Sequence, residues 1–213
     1  MAVKEIVQIW DDENIIEDNI HFLRTPTKKV TFPLSPFIKQ IIEDLIDTFQ
    51  AITCAGIAAN QIGYPYHIFI GAKDLDESDL ASLEEAEVKL SNRTNNIHEE
   101  NFEIYINPEI IKYSQDSVQE VDEGCLSISG VQVYKLRFQD IKVKYFDIEG
   151  KKHIKKLNYF QSKLFQHEID HLNGILMFDN NLIDADLYDP NPQNVKKIRR
   201  LISSYFKLTR PLQ

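Results

Sequence analysis

Apolar residues recur at helical spacing in one segment in the first quarter of the chain. Six positions after Pro36 share this spacing: Ile38, Ile41, Ile42, Leu45, Ile46 and Phe49. They fall on one face of an amphipathic helix. Ser35 is a favourable N-cap residue, and Pro36 suits the first helical position. The pattern therefore predicts a helix that begins at Pro36 and buries one face.

Shorter apolar runs indicate strands. Residues 66–71 are rich in aromatic and β-branched side chains, which is typical of a buried strand, and residues 101–108 have a similar pattern. Apolar and polar positions alternate over 131–147, which predicts a half-exposed antiparallel strand closed by a turn at 147–150. Between these segments, residues 55–63 are mostly small and predict a loop rather than a periodic element.

Two further helices are predicted in the second half of the chain. Residues 157–172 lack proline and glycine and have apolar side chains at helical spacing, and Asn173-Gly174 is a plausible stop. A last helix is predicted over 194–208. Short strands combined with a few helices indicate an α+β fold, with antiparallel or mixed strands around the helix at 157–172.

The overall composition is that of a globular protein. The chain has 213 residues, 43% of them hydrophobic and 27% charged, which excludes wholesale disorder, and its two cysteines exclude a disulfide scaffold. The start lacks an apolar signal core, and no apolar run approaches the ~20 residues of a membrane span. We therefore expect a cytoplasmic protein with reduced thiols and no membrane partner.

Charge is distributed unevenly along the chain. The formal net charge is -9, which argues against a dedicated DNA-binding protein. Residues 74–103 hold ten acidic and two basic side chains, whereas residues 191–213 hold six basic side chains and no acidic one. We expect a catalytic domain over 1–190 with an acidic surface insertion at 74–103, which is either solvated or a partner-binding arm. The basic helix or tail at 191–213 is either solvated or docks on ribosomal RNA.

The candidate chemistry begins with His167-Glu168-Ile169-Asp170-His171, which matches H-E-x-x-H. Residues four apart share a helix face, so both imidazoles can reach one ion, with Glu168 beside them as a proton carrier. A surface helix with two histidines would have the same pattern. A catalytic site of this kind needs a third protein ligand, and neither a histidine nor a glutamate follows His171. An upstream thiolate is the strongest candidate, and Cys125 is either that ligand or a small buried side chain.

Three segments together resemble a known family. Gly56-Ile-Ala-Ala-Asn-Gln61, Glu123-Gly-Cys-Leu-Ser127 and Gln166-His-Glu-Ile-Asp-His171 are similar, in this order, to the signature motifs of peptide deformylases. The resemblance extends over about residues 20–180. It implies removal of the N-formyl group from the initiator formyl-methionine of new polypeptides, with release of formate. It also implies an α+β fold with the H-E-x-x-H helix among antiparallel strands.

The resemblance further implies a role for each motif residue. Cys125, His167 and His171 become ligands of one divalent metal, natively Fe²⁺, while Zn²⁺, Ni²⁺ and Co²⁺ suit the same donors. The metal would generate the attacking hydroxide, with Glu168 as general acid and base. Gln61 and the backbone N–H of Leu126 become the oxyanion stabilisers. The implied substrate contacts are Gly56, Ile57, Val121, Glu123, Gly124, Phe160 and Leu164.

The sequence departs from the family pattern at several positions. Cys54 replaces a glycine of the first motif, which predicts strain if that position needs a positive φ. Ser129 replaces a proline, Lys163 stands where an apolar residue is usual, and the acidic stretch is longer than usual. Two other functions remain open: a metalloprotease of the H-E-x-x-H kind, and a deformylase-like protein with an altered substrate or a purely structural metal.

Overall fold

The helix predicted to begin at Pro36 does begin there, whereas the sequence analysis did not predict the short helix over Glu17–Leu23. The computed structural model describes residues 2–11, 14–52, 54–73, 102–179, 195, 196 and 198–200, and the backbone of 182–187. Its helices are α1 (Glu17–Leu23), α2 (Pro36–Ala51) and α3 (Tyr159–Leu172). The Ser35 hydroxyl accepts a hydrogen bond from the Ile38 N–H at 3.3 Å, which confirms the predicted cap of α2. None of the helices in these ranges is long and apolar enough to cross a membrane.

The strands form two antiparallel sheets. Within the described ranges they are β1 (Gly56–Ala58), β2 (Ile68–Ala72), β3 (Phe102–Tyr113), β4 (Val118–Cys125), β5 (Ile128–Phe138), β6 (Asp140–Phe146), β7 (Lys152–Asn158) and β8 (Leu182–Leu187). One sheet has the order β1-β2-β3-β6-β7 and the other has the order β4-β5-β8. Mixed helices and antiparallel sheets confirm the α+β class.

Helix α3 contacts both sheets. It lies against β1, β2, β6 and β7 of the five-stranded sheet and against β5 of the other. Its apolar side chains Phe160, Leu164, Phe165 and Leu172 are buried, as expected. Gln166, Glu168 and His171 are buried too. Because buried polar groups are costly without partners, this helix is where a functional site is to be sought.

The helix predicted over 157–172 is confirmed as α3, which starts two residues later than predicted and stops as predicted. Asn173 is the C-cap of α3, and Gly174 has φ +74°. A Cβ at position 174 would lie 2.3 Å from the carbonyl oxygen of Arg24, so only glycine fits there. The turn at 147–150 is confirmed as well, with the N–H of Gly150 donating to the carbonyl of Asp147 at 3.0 Å.

Two sequence predictions were wrong about strands. Residues 55–63 are not simply a loop, because Gly56–Ala58 forms β1 and Ala59–Ile62 forms a 3-10 helix. This strand depends on pairing with β2, a contact that local periodicity does not reveal. Residues 131–147 are not one strand, because β5 and β6 belong to different sheets. The alternation has the same period in both, so it did not mark the change of sheet. The sequence analysis also missed β7.

The two charged segments lie mostly outside the described residues. Of the predicted insertion at 74–103, only Phe102 and Glu103 are described, and they begin β3. Of the predicted last helix, residues 195, 196 and 198–200 are helical. Ile198 is buried in an apolar cluster with Ile9, Trp10, Cys125 and Met177, so at least one residue of the basic segment belongs to the core.

Candidate metal centre and active site

One thiol and two imidazoles converge in the interior. Cys125 ends β4, while His167 and His171 lie one helical turn apart on α3. One donor atom from each lies within 4.8 Å of the others, and the Cys125 Sγ is 3.2 Å from the His171 Nε2. The structure therefore brings together the three residues that the sequence analysis selected as ligands.

This donor set fits a divalent metal with an open position. A thiolate and two imidazoles suit Fe²⁺, Zn²⁺, Ni²⁺ and Co²⁺, and three protein ligands are typical of a catalytic site. The Nδ1 of His167 is engaged by Glu123, which leaves Nε2 for a metal. Burial and the neighbouring His167 lower the pKa of His171 well below its usual value, which keeps that imidazole neutral.

A network of charged side chains contacts the Nδ1 of His167. Its Nδ1 lies 3.0 Å from the Oε2 of Glu123, whose two oxygens accept hydrogen bonds from Arg137 at 2.6 and 2.9 Å. Arg137 also donates to Asp170 at 2.7 Å. Burial alone would raise the pKa of Glu123, but the bonds from Arg137 and His167 outweigh it and hold that pKa far below its usual range. The buried Glu123 side chain is thus engaged by a candidate ligand.

The same network acts on the imidazole of His167. Burial lowers the pKa of His167, but hydrogen bonds to Cys125 and Glu123 outweigh it and raise that pKa to about 10. A metal bound at this imidazole therefore displaces a proton.

Lys135 is fully buried nearby, 4.0 Å from Asp170, and its Nζ has no hydrogen-bond partner among the described residues.

Glu168 is buried beside the three candidate ligands. It is 2% exposed, and its Oε2 has no hydrogen-bond partner within the described part of the chain. Burial raises the pKa of this carboxyl to about 7, against the opposing charge of His167. A carboxyl that titrates near neutral pH can both accept and return a proton.

The Gln61 side chain is aimed at the same centre. Its Oε1 accepts a hydrogen bond from the Ala58 N–H at 2.9 Å, which orients the amide nitrogen towards Cys125 and Ser127. That Nε2 lies 3.6 Å from the Cys125 Sγ and 3.3 Å from the Ser127 hydroxyl. Leu126 stands between those two residues, and its carbonyl accepts a 2.6 Å hydrogen bond from the Gln8 side chain.

The candidate substrate residues occupy two places. Gly56 and Ile57 lie on β1, the edge strand of the larger sheet, and a Cβ on Gly56 would be 2.7 Å from the Oε1 of Glu168. Phe160 and Leu164 are buried in one apolar cluster that includes Ile57. Val121 is buried on β4, outside that cluster, and Gly124 is exposed on the same strand.

The departures from the family pattern have simple structural outcomes. Cys54 is half-buried just before β1. Burial raises the pKa of its thiol, and the charge of Glu168 adds to this effect. Lys163 donates to the Asp122 carbonyl at 2.7 Å, with its ammonium 5.4 Å from the centre of the Phe160 ring. Ser129 is exposed on β5.

Sequence reasoning missed three polar residues around the centre. Arg137 supports Glu123, Gln8 contacts Leu126, and the Asn60 amide donates to the His171 carbonyl at 2.7 Å. Asn60 lies inside the first motif, whose pattern assigns it no role. Arg137 and Gln8 are single polar residues at ordinary positions, and no local signal distinguishes them.

Comparison with known proteins agrees with this arrangement. The family model described as polypeptide deformylase matches residues 12–184. The chain belongs to the polypeptide deformylase family. It is similar to the peptide deformylase of Erythrobacter litoralis, with 30% identity over 190 residues that cover 84% of this chain and 90% of the relative. It is also similar to the Thermus thermophilus peptide deformylase, with 34% identity over 143 residues that cover 67% and 69%.

Solved structures share the fold. The crystal structure of a peptide deformylase from Legionella pneumophila superposes with a TM-score of 0.64 and 24% identity, covering 99% of this chain and 100% of that one. Family members are metal-dependent hydrolases that remove the N-formyl group from formyl-methionyl peptides, and this is the activity of the present chain. The family membership decides against the metalloprotease alternative.

Proposed function

We propose that Cys125, His167 and His171 hold the metal with which the chain removes the formyl group of formyl-methionyl peptides, and that Glu168 moves the proton. One observation carries this proposal. Three donor atoms within 4.8 Å of one another stand beside a buried carboxylate with an unpartnered oxygen. In this proposal the H-E-x-x-H helix α3 is the centre of the site, since it supplies three of the four groups.

A bound metal supplies Lewis acidity, which lowers the pKa of a water and polarises the formyl oxygen. The protein donors favour borderline cations, and we propose Fe²⁺ as the native metal with Zn²⁺, Ni²⁺ and Co²⁺ as substitutes. Elemental analysis after anaerobic purification tests this choice. Zinc rather than iron in the purified protein would contradict it.

Glu168 accepts the proton of the attacking water and passes it to the leaving amine. Its burial supports this role, because the pKa of about 7 makes both protonation states accessible. The amide of Gln61 and the N–H of Leu126 donate to the oxygen that becomes negative as the formyl carbon is attacked. One such donor is worth about 3 kcal/mol in the barrier. Formate and a free N-terminus are the products.

The substrate peptide is proposed to pair with β1. Among the described residues this strand is at the sheet edge and pairs with β2 alone, so the backbone of Gly56 and Ile57 is suited to β-augmentation. Phe160, Leu164 and Val121 are proposed to line the methionine pocket, since their buried apolar side chains favour a thioether chain. Glu123 and Gly124, which lie on β4 just before Cys125, are proposed to contact the peptide beside this pocket.

Formate release tests the proposal. We expect the protein, loaded anaerobically with Fe²⁺ or Ni²⁺, to release formate from a formyl-methionyl peptide and to leave its peptide bonds intact. Glu168→Ala is expected to lose a factor of 10² to 10⁴ in turnover while it still binds the metal. Glu43→Ala, on the exposed side of α2, serves as the matched control. No formate from the loaded protein, or equal formate from Glu168→Ala, would overturn the assignment.

We also propose that the basic segment at 191–213 contacts ribosomal RNA near the emerging chain. Its six basic and no acidic side chains support an electrostatic contact. Because Ile198 is buried in the core, the test replaces the exposed Lys196 and Arg200 with glutamine instead of deleting the segment. Weaker co-sedimentation with ribosomes, at unchanged peptide turnover, is expected. Unchanged sedimentation would contradict this contact.

A further inference from the structure

Three consecutive residues near the start of the chain bond to the 3-10 helix of Gln61 and to the turn of Leu126, the two segments that hold the proposed oxyanion donors. The Val7 N–H donates to the carbonyl of Gln61 at 2.8 Å. The Gln8 side-chain amide donates to the carbonyl of Leu126 at 2.6 Å. The Ile9 N–H donates to the carbonyl of Ser127 at 3.0 Å. We call residues 7–9 the bridging segment.

The bridging segment is itself held in place. Ile9 is fully buried in the apolar cluster that contains Cys125, and its carbonyl accepts from the Ile16 N–H at 2.9 Å. The Asn19 amide donates to the Gln8 carbonyl at 2.8 Å, so α1 fixes the backbone behind the Gln8 side chain. The segment is therefore anchored by α1 and by the apolar cluster that packs around Cys125.

The peptide plane after Leu126 is the point at which this anchoring acts. The carbonyl of Leu126 and the N–H of Ser127 share one rigid plane, and the N–H of Leu126 is joined to that plane only through its own Cα. Because the Gln8 amide donates to this carbonyl at 2.6 Å, rotation of the peptide plane about the Cα–C bond of Leu126 is restricted. The direction of the Leu126 N–H is then restricted as well. On the other side, Val7 holds the backbone of the residue whose side chain is the second donor.

We propose that Gln8 is a positioning residue that aims the Leu126 N–H at the developing oxyanion, and that the bridging segment sets the separation of this donor from Gln61. This inference rests on the proposed function, because it assigns a purpose to the two donors. An oxyanion donor acts through its geometry, and small misplacements cost large factors in rate. Gln8 touches neither the ligands nor the proposed proton carrier in the described contacts, so its effect passes through Leu126.

Gln8→Met tests the proposal, because methionine has a similar shape and no donor. We expect kcat to fall about 10- to 100-fold, with KM within about twofold of the wild-type value. Gln8→His, which restores an N–H donor on a ring, is expected to recover part of kcat. Gln119→Met is the matched control, since it removes a glutamine amide that donates to the Tyr159 carbonyl at 2.9 Å, near the opposite end of β4 from Cys125 and Leu126. Thermal unfolding of all variants identifies any loss of fold.

A second measurement does not depend on turnover. In ¹⁵N-labelled protein, Gln8→Met is expected to shift the Leu126 and Ser127 amide resonances and to speed exchange of the Ser127 amide, while Gln119→Met leaves both unchanged. Wild-type kcat in Gln8→Met, or unmoved Leu126 and Ser127 resonances, would overturn the role of Gln8. A wild-type protein that releases no formate would instead contradict the proposed function, and the amide measurement would still decide the bridging contact.

Discussion

The Oε2 of Glu123 lies 3.0 Å from the Nδ1 of His167, and the same carboxylate is clamped by two hydrogen bonds from Arg137. This contact orients the imidazole and directs its other nitrogen towards the Cys125 sulfur and His171. Second partners of this kind often matter nearly as much for metal binding as the ligands themselves. We therefore expect the position and charge of Glu123 to control how well the three proposed ligands hold a metal.

Glu123→Gln is expected to weaken metal binding about 10- to 100-fold. The neutral amide attracts the imidazole N–H less, and its NH₂ group cannot accept the hydrogen bond that Arg137 or His167 makes to a carboxylate oxygen. Competition with a chelator, followed by elemental analysis of the protein, measures the loss. Glu109→Gln removes a carboxylate that pairs with Lys144 at 2.6 Å on the outer side of the sheet, and metal binding should be unchanged. Equal metal retention in both variants would contradict the role of Glu123.

Gly56→Ala is expected to lower kcat/KM at least about 10-fold with the fold intact. The new Cβ would lie 2.7 Å from the Oε1 of Glu168 and 2.8 Å from Leu164, so both side chains must move. Gly71 is the direct cross-strand partner of Gly56, and a Cβ there would lie no closer than 3.4 Å to its neighbours. Gly71→Ala is therefore the control. Wild-type turnover in Gly56→Ala would show that the Glu168 position is not critical.

The Glu103 ion pair predicts a pH-dependent contribution to stability. Burial raises the pKa of Glu103, but hydrogen bonds from Lys155 and Tyr145 outweigh it and hold that pKa below its usual value. A carboxyl whose pKa is depressed by folding stabilises the protein above its unfolded pKa of about 4.3, and this contribution is lost as pH falls through the folded pKa. Denaturant unfolding between pH 7 and pH 3 measures it.

For Glu103→Gln we expect a loss of about 1 kcal/mol at pH 7, reduced because Lys155 is 42% exposed, and a vanishing difference from wild type towards pH 3. Glu120→Gln, on the exposed edge of β4, should differ little from wild type at either pH. A difference that stays constant down to pH 3 would contradict the ion-pair origin.

Lys142→Gln is expected to stabilise the protein. Lys142 faces Lys112 on one neighbouring strand and Lys156 on the other, in direct cross-strand register. Like charges in this arrangement repel, so removing the central one should raise the free energy of unfolding by about 0.5 kcal/mol at low salt and by less at 1 M salt. Lys144→Gln on the same strand removes a partner of Glu109 instead and should not stabilise. Equal effects of both substitutions would exclude the repulsion.

Local patterns in the sequence determined the elements whose signals are short-range. The cap at Ser35, the apolar face of α2 and the left-handed stop at Gly174 all have signals within a few residues, and all three were predicted correctly. The H-E-x-x-H spacing likewise places His167 and His171 on one helix face whatever the rest of the fold does.

Only the tertiary structure decided which distant residues complete the site. Strand β1 exists because it pairs with β2, and the change of sheet between β5 and β6 leaves the alternation intact. Arg137 and Gln8 reach the centre from a neighbouring strand and from the start of the chain, at positions where no motif marks them. Because such contacts join residues far apart in sequence, the spacing of hydrophobic residues and of motifs does not predict them. The sequence by itself therefore predicted the candidate ligands that one helix and one strand end present, and packing decided which residues orient them.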